Sequence, residues 1–160
     1  MIYYFDTSIF ITSNNVDFPV SIVENGSFWR WILDLGKNGQ IRVPEKVFEE
    51  LERTDDDIFR LVRDNKDSLV EKTSCALVSL SHVLHAYGNP ITEKTLQRIG
   101  ADPYVIAHCH ACPEDSTVVS YEITDNATAP HNKKIPSICS QVNIQHIRLP
   151  AFMWALLGAP

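Results

Sequence analysis

Hydrophobic and polar positions along this chain fall into short runs of two periods, and their order predicts strands and helices in alternation. Residues 2–5, IYYF, are apolar and aromatic-rich and predict a buried strand. Asp6, Thr7 and Ser8 follow at once, in the place of a strand-to-helix turn. Residues 12–26 are polar, contain Pro19 and Gly26, and predict a loop. Over 27–35, Phe28, Trp31, Ile32 and Leu35 recur at helical spacing, with Ser27 placed to cap and Gly36, Asn38 and Gly39 to end the helix. Residues 40–43 predict a second strand. Pro44 then opens a helix over 45–53, in the favoured first-turn position. Two helices follow over about 56–64 and 68–87, the second stopping at Gly88-Asn89-Pro90. A short helix is expected over 92–98, and another starts at Asp102-Pro103 and runs to Cys112-Pro113. Residues 117–120 predict a third strand, 123–134 a loop, the segment near 136–142 a helix, and 142–147 contain a fourth strand. The apolar tail from Pro150 predicts a last helix.

Strands that alternate with helices imply a parallel sheet covered on both faces. The expected fold is α/β, a three-layer doubly wound parallel sheet of about four to five strands. In such sheets ligands bind outside the carboxyl ends of the strands. The 160 residues suit one domain, 1–160, and 44% of them are hydrophobic, enough for a core that needs no disulfide. No stretch approaches the roughly 20 apolar residues of a membrane span, so no membrane is expected. The N-terminal segment has no basic run and carries an acid at position 6, unlike a secretory signal. A cytoplasmic protein with Cys75, Cys109, Cys112 and Cys139 reduced is therefore expected.

The net charge of −6 argues against holding nucleic acid by bulk electrostatics, but a cluster of acids offset by a metal ion contributes to such a balance. Asp6 follows the first strand directly, and Glu122 follows the third by one residue, so both should lie at the sheet's carboxyl edge. Asp102 is expected at the N-cap of its helix, beside Pro103. The helix over 45–53 holds Glu45, Glu49, Glu50 and Glu52. At about 100° per residue, Val47, Phe48 and Leu51 form its apolar arc. Glu49 points nearly opposite that arc, and Glu45 and Glu52 leave on the Phe48 side. Glu50 borders Val47 and Leu51 on the other side, placed to lean over the sheet. Hard divalent cations prefer oxygen ligands, and Mg²⁺ binds through one or two carboxylates plus water and phosphate. Without a cation, gathered carboxylates repel one another and their pKa values rise. A metal removes that cost, polarises a phosphoryl oxygen and activates water.

At these residues the chain resembles the PIN domain family. YYFDTSIFI is similar to the first strand and acid of that family. VFEELER resembles the helix bearing the second acid, here Glu50. GADPYVIAHC resembles the third-acid segment, with Asp102 in the acid's place. TVVSYE resembles a threonine-x-aspartate segment, with Ser120 standing for the threonine and Glu122 for the aspartate. KIPSICSQVNI is similar to the closing segment of one PIN-like group, and the likeness spans residues 2 to about 158. The resemblance implies a single PIN-like domain that holds Mg²⁺ or Mn²⁺ and cleaves single-stranded RNA to 5′-phosphate products. The metal ligands would be Asp6, Glu50, Asp102 and Glu122, with Thr7 and Ser120 beside them. The resemblance also implies toxins of toxin–antitoxin pairs, with an antitoxin protein as partner.

Plainer uses compete for each residue. Asp6 can end a strand, and Asp102 before Pro103 is ordinary helix-start chemistry worth about 1 kcal/mol. Asp125 rivals Glu122. Thr7 and Ser120 can position water or phosphate, or make local turn hydrogen bonds. His108, Cys109, His110 and Cys112 include a C-x-x-C spacing but lack a second ligand pair at zinc distance, so buried thiols are the better reading. Lys133, Lys134 and Arg148 are the best phosphate-contact candidates. Trp29, Trp31 and Trp154 can stack on bases or pack in the core. The tail AFMWALLGAP suits core closure, a homodimer or another partner patch. Two other functions remain: a PIN-like scaffold that binds protein or RNA without cutting, and a small-phosphate hydrolase with Asp6 as nucleophile. The last is disfavoured, because Ser8 stands where its usual second aspartate would.

Overall fold

The run IYYF forms a central strand, β1 (Ile2–Phe5), whose side chains alternate between two covered faces. Tyr3 and Phe5 pack edge-on against Phe152, at 4.9 and 5.1 Å between ring centroids. Tyr4 faces the other way, 5.4 Å from the His108 ring. The computed structural model describes residues 1–22 and 26–158, with Cys75 described by its backbone alone. In it β1 is flanked by β2 (Ile41–Pro44) and β4 (Ser116–Ser120), with β3 (Val70–Glu71) and β5 (His146–Arg148) at the edges. The order is β3-β2-β1-β4-β5, and every pairing is parallel. Helices cover both faces of this five-stranded sheet, the three-layer doubly wound arrangement expected of a PIN-like fold.

The helices are α1 (Thr7–Thr12), α2 (Gly26–Lys37), α3 (Glu45–Glu52), α4 (Asp57–Asp64) and α5 (Lys66–Leu69) in the first half. The second half holds α6 (Leu77–Tyr87), α7 (Glu93–Ile99), α8 (Asp102–Ala111), α9 (Ile135–Gln141) and α10 (Leu149–Leu157). Both α2 and α10 serve the Tyr3/Phe5 face, where Trp31 meets Phe152 at 5.6 Å. The other face carries α8, which packs on β1, β2 and β4 beneath α6. It buries Val105, Ile106, Ala107, His108 and Cys109 in succession, as a helix covered on all sides must. Among the described residues no helix is long and apolar enough to cross a membrane.

Several boundaries differ from expectation. The segment 68–87 is not one helix: α5 ends at Leu69, β3 follows, and a 3₁₀ turn at Thr73–Ala76 leads into α6. The apolar spacing fits a helix, but Leu69 is fully buried so close to Gly36 that a Cβ there would lie 2.3 Å from Leu69 Cδ2. That contact draws the chain to the sheet edge, where Val70 and Glu71 pair with Val43 and Pro44. Arg42 secures the junction by donating to the Ser68 carbonyl at 2.8 Å. The predicted loop 12–26 begins instead as a π-helical turn over Ser13–Asp17, and its residues 23–25 lie outside the described residues. Trp29 holds its far side by donating to the Phe18 carbonyl at 2.7 Å. Pro44 is the N-cap of α3 rather than its first-turn residue, and Asp102 is the first residue of α8 while Ala101 takes the N-cap. The last helix starts at Leu149, and residues 159–160 of the tail lie outside the described residues.

Phe152 is fully buried where β1, α2 and α10 meet. Phe152→Ala should therefore cost about 3–5 kcal/mol. A denaturant midpoint unchanged from wild type would show that the tail helix does not close the core.

Candidate active site at the carboxyl edge of the sheet

Asp6 leaves β1 as the N-cap of α1, 4% exposed, with its carboxylate accepting from the Ser8 N–H at 3.1 Å. Glu50 comes from α3 and reaches the residues next to the two aspartates. Thr7 Oγ1 donates to it at 2.6 Å and the Ala101 N–H at 2.8 Å. Gly100 makes room for this carboxylate: with φ +72, a Cβ there would stand 2.4 Å from Glu50 Oε1. Asp102 begins α8. Since Ala101 takes the cap, the Asp102 carboxylate caps nothing, and it has no hydrogen-bond partner among the described residues. Glu122 lies just beyond β4, where the Ile135 N–H donates to it at 2.8 Å and Lys134 Nζ approaches to 3.0 Å. Asp6, Glu50, Asp102 and Glu122 are thus brought to one edge.

Their charges act on one another there. Burial raises the Asp102 carboxyl well above its ordinary range, and the negative Asp6, Glu122 and Glu50 raise it further against the pull of Lys134. Burial likewise lifts Asp6 from 3.8 to about 6, opposed by its Ser8 hydrogen bonds and assisted by the Glu122 charge. The donor set fits a hard divalent cation: the groups are all carboxylates, and the two aspartates are desolvated in a way that disfavours their ionised forms. The set is not a closed cage. Among the described residues, no three His, Cys, Asp or Glu side chains stand together at ligand distances. Glu50 and Glu122 are turned to their own partners, so Asp6 and Asp102 are the two carboxylates that could hold such an ion directly, with water completing its shell.

The remaining candidates separate clearly. Thr7 positions Glu50, and Ser120 Oγ lies 2.9 Å from His146 Nε2 while accepting from the Glu122 N–H, so both hydroxyls have partners within the protein. Asp125 accepts from the Ala127 N–H at 3.2 Å and holds its own turn. Lys133 donates to the Ala86 carbonyl at 2.8 Å, and Arg148 is exposed on β5. Cys109 and Cys139 are buried thiols, both pushed up in pKa by burial, whereas Cys112 is exposed, contrary to expectation, because it lies past the end of α8. The Cys75 side chain lies outside the described residues. The His108 ring nitrogens lie 2.7 Å from the Tyr104 carbonyl and 3.3 Å from the Lys72 carbonyl, a structural pairing rather than a metal site. Trp29 is core, Trp31 is partly buried, and Trp154 is 61% exposed.

Two features of the site escape a reading of the residues alone. One is the Gly100-Ala101 backbone that receives Glu50; a glycine between a helix end and Ala-Asp-Pro is its only linear signal. The other is Tyr87, fully buried, whose hydroxyl has no partner among the described residues. Nothing in the sequence distinguishes it from a helix-end aromatic.

The fold and these acids define an α/β protein with a carboxylate cluster at the carboxyl edge of a parallel sheet. The chain belongs to the family described as a domain of unknown function (DUF4411), whose model matches residues 3–156. No curated protein and no solved structure is similar enough to match.

Gly100→Ala should displace Glu50 and strain a left-handed backbone, at a cost of about 1–3 kcal/mol in urea unfolding. Wild-type stability in that variant would contradict the close packing on Glu50. The raised Asp6 value means that the folded state binds this proton more tightly than the unfolded chain. Its contribution to stability is therefore lost as pH rises from 3.8 to about 6. In chelator at pH 7, Asp6→Asn, which keeps the cap but not the charge, should be more stable than wild type by roughly 1–3 kcal/mol. Lower stability would mean that the site is not electrostatically strained.

Proposed function

We propose that this chain is a Mg²⁺- or Mn²⁺-dependent endoribonuclease that hydrolyses single-stranded RNA phosphodiesters. One observation carries the reading: two desolvated aspartates, Asp6 and Asp102, face Glu50 and Glu122 at the carboxyl edge of the sheet. Like charges so placed are unfavourable unless a cation joins them. The likeness to PIN domains in the same four positions supports it. In this reading Asp6 and Asp102 hold the ion, and Glu50, fixed by Thr7 and the Ala101 N–H, orients what it carries. The ion supplies a Lewis acid for the phosphoryl oxygen. Lys134 offers a cation beside Glu122 for the substrate backbone. An open groove beside Glu50, lined by Lys46, Arg53 and Tyr104 among others, offers a path for the adjoining strand. A cytoplasmic setting and an antitoxin laid across the acidic edge belong to the same proposal. A homodimer through the exposed Trp154 and Leu157 of α10 belongs to it too.

A second reading, a PIN-like scaffold that binds protein or RNA without cutting, is favoured by one feature. Glu122 is already satisfied by Lys134 and the Ile135 N–H.

Cleavage of a fluorescent single-stranded RNA with Mn²⁺, with Mg²⁺ and with chelator separates the two. The nuclease reading expects metal-dependent cutting that falls at least 100-fold in Asp6→Asn, consistent with loss of a metal-assisted step. Folded wild type that does not cut, or an Asp6→Asn variant that cuts normally, overturns it.

A further inference from the structure

The end of α6 is built into the acid site. Tyr87 is its last residue and is fully buried. Lys133 fastens the preceding Ala86 carbonyl at 2.8 Å, and the next residue along, Lys134, pairs with Glu122. Pro130 closes on Gly88 so tightly that a Cβ there would come within 3.0 Å of its ring. On its other side α6 packs along α8, whose first residue is Asp102. The end of α6 that carries Tyr87 therefore lies between α8 and the segment that leads Lys134 to Glu122.

Its hydroxyl nevertheless has no hydrogen-bond partner among the described residues. Neither has the Asp102 carboxylate among the described residues. The carboxylates that act on the hydroxyl are Asp102 first, then Glu122 and Asp6. Burying a hydroxyl with nothing to bond to is unfavourable, and phenylalanine would fill the same space without that penalty. A buried donor without a partner and a half-buried carboxylate without one suit a small polar guest between them.

We propose that Tyr87 is a positioning residue of the acid site, its hydroxyl donating to a water in the hydration shell of the divalent ion held by Asp102. This rests on the metal-binding reading above. Mg²⁺ and Mn²⁺ sites with few carboxylates keep several waters, and partners outside the first shell of ligands tune affinity. Tyr87 orients the ion's water and does not itself touch the reacting phosphate.

The test is Mn²⁺ titration calorimetry, with thermal unfolding in chelator and in Mn²⁺, on wild type, Asp102→Asn and Tyr87→Phe. Wild type should bind Mn²⁺ and Asp102→Asn should not. Tyr87→Phe should bind at least 5-fold more weakly, and Mn²⁺ should raise its Tm less than it raises that of wild type. In chelator this variant should melt at the same temperature as wild type or higher, because only an orphaned hydroxyl has been removed. A hydroxyl with a purely structural role would do the reverse, lowering the chelator Tm and leaving Mn²⁺ affinity alone, and that result overturns the inference. Unchanged Mn²⁺ affinity in Tyr87→Phe, with wild type binding and Asp102→Asn silent, overturns it while the metal reading stands. No Mn²⁺ binding by wild type overturns both.

Discussion

Everything at the functional edge depends on β1 being paired on both sides. All four of its residues pair in parallel with β4, Tyr3 and Tyr4 also pair with β2, and each face of the strand is buried under helices. No side chain of this strand can slip by one position without moving Tyr4 into the aromatic layer of Phe152, or Tyr3 and Phe5 against α8. The register is set by packing on both faces at once. It delivers Asp6 to a single place, where its N–H extends the ladder by donating to the Val119 carbonyl at 3.1 Å. The turn that follows caps α1 with the same carboxylate and points Thr7 at Glu50. A hydrophobic constraint thereby fixes the geometry of a polar site.

The site itself is in tension. Asp6 and Asp102 sit where burial and neighbouring acids both disfavour their charges, and Lys134, paired with Glu122, offsets only part of this at Asp102. Folded chains carry such strain where function requires it. Here the rest of the structure can bear it. The aromatic layer around Phe152 and the central helix α8 hold the surrounding backbone, and Gly100 yields its Cβ so that Glu50 can be clasped by a main-chain N–H. A divalent cation would offset the repulsion among these carboxylates.

Much of this was legible beforehand, and the failures have physical causes. The strand 2–5 is readable as an unbroken apolar run, the helix carrying Val47, Phe48 and Leu51 by its apolar arc, and the helix from Asp102 by its Asp-Pro start. The break in 68–87 was not, because Leu69, Ala76, Val83 and Leu84 keep helical spacing across a strand of two residues. Such a strand exists only because a partner edge is present at Val43 and Pro44. The acids were nameable from their positions after strands and at a helix start. That Asp102 caps nothing, that Ser120 is engaged by His146, and that Cys112 lies in solvent all depended on where neighbouring elements came to rest.

The division follows from the range of the forces. Periodicity, turn chemistry and the order of apolar runs are local, so the sequence by itself determined an α/β chain with parallel strands and the residues that could stand at their carboxyl ends. Burial, desolvation and hydrogen-bond partnership are properties of a place rather than of a residue. Only the tertiary structure decided that Glu50 meets Thr7 and Ala101 across more than 40 positions of chain, that Lys134 returns to Glu122, and that the Tyr87 hydroxyl is buried without a partner among the described residues.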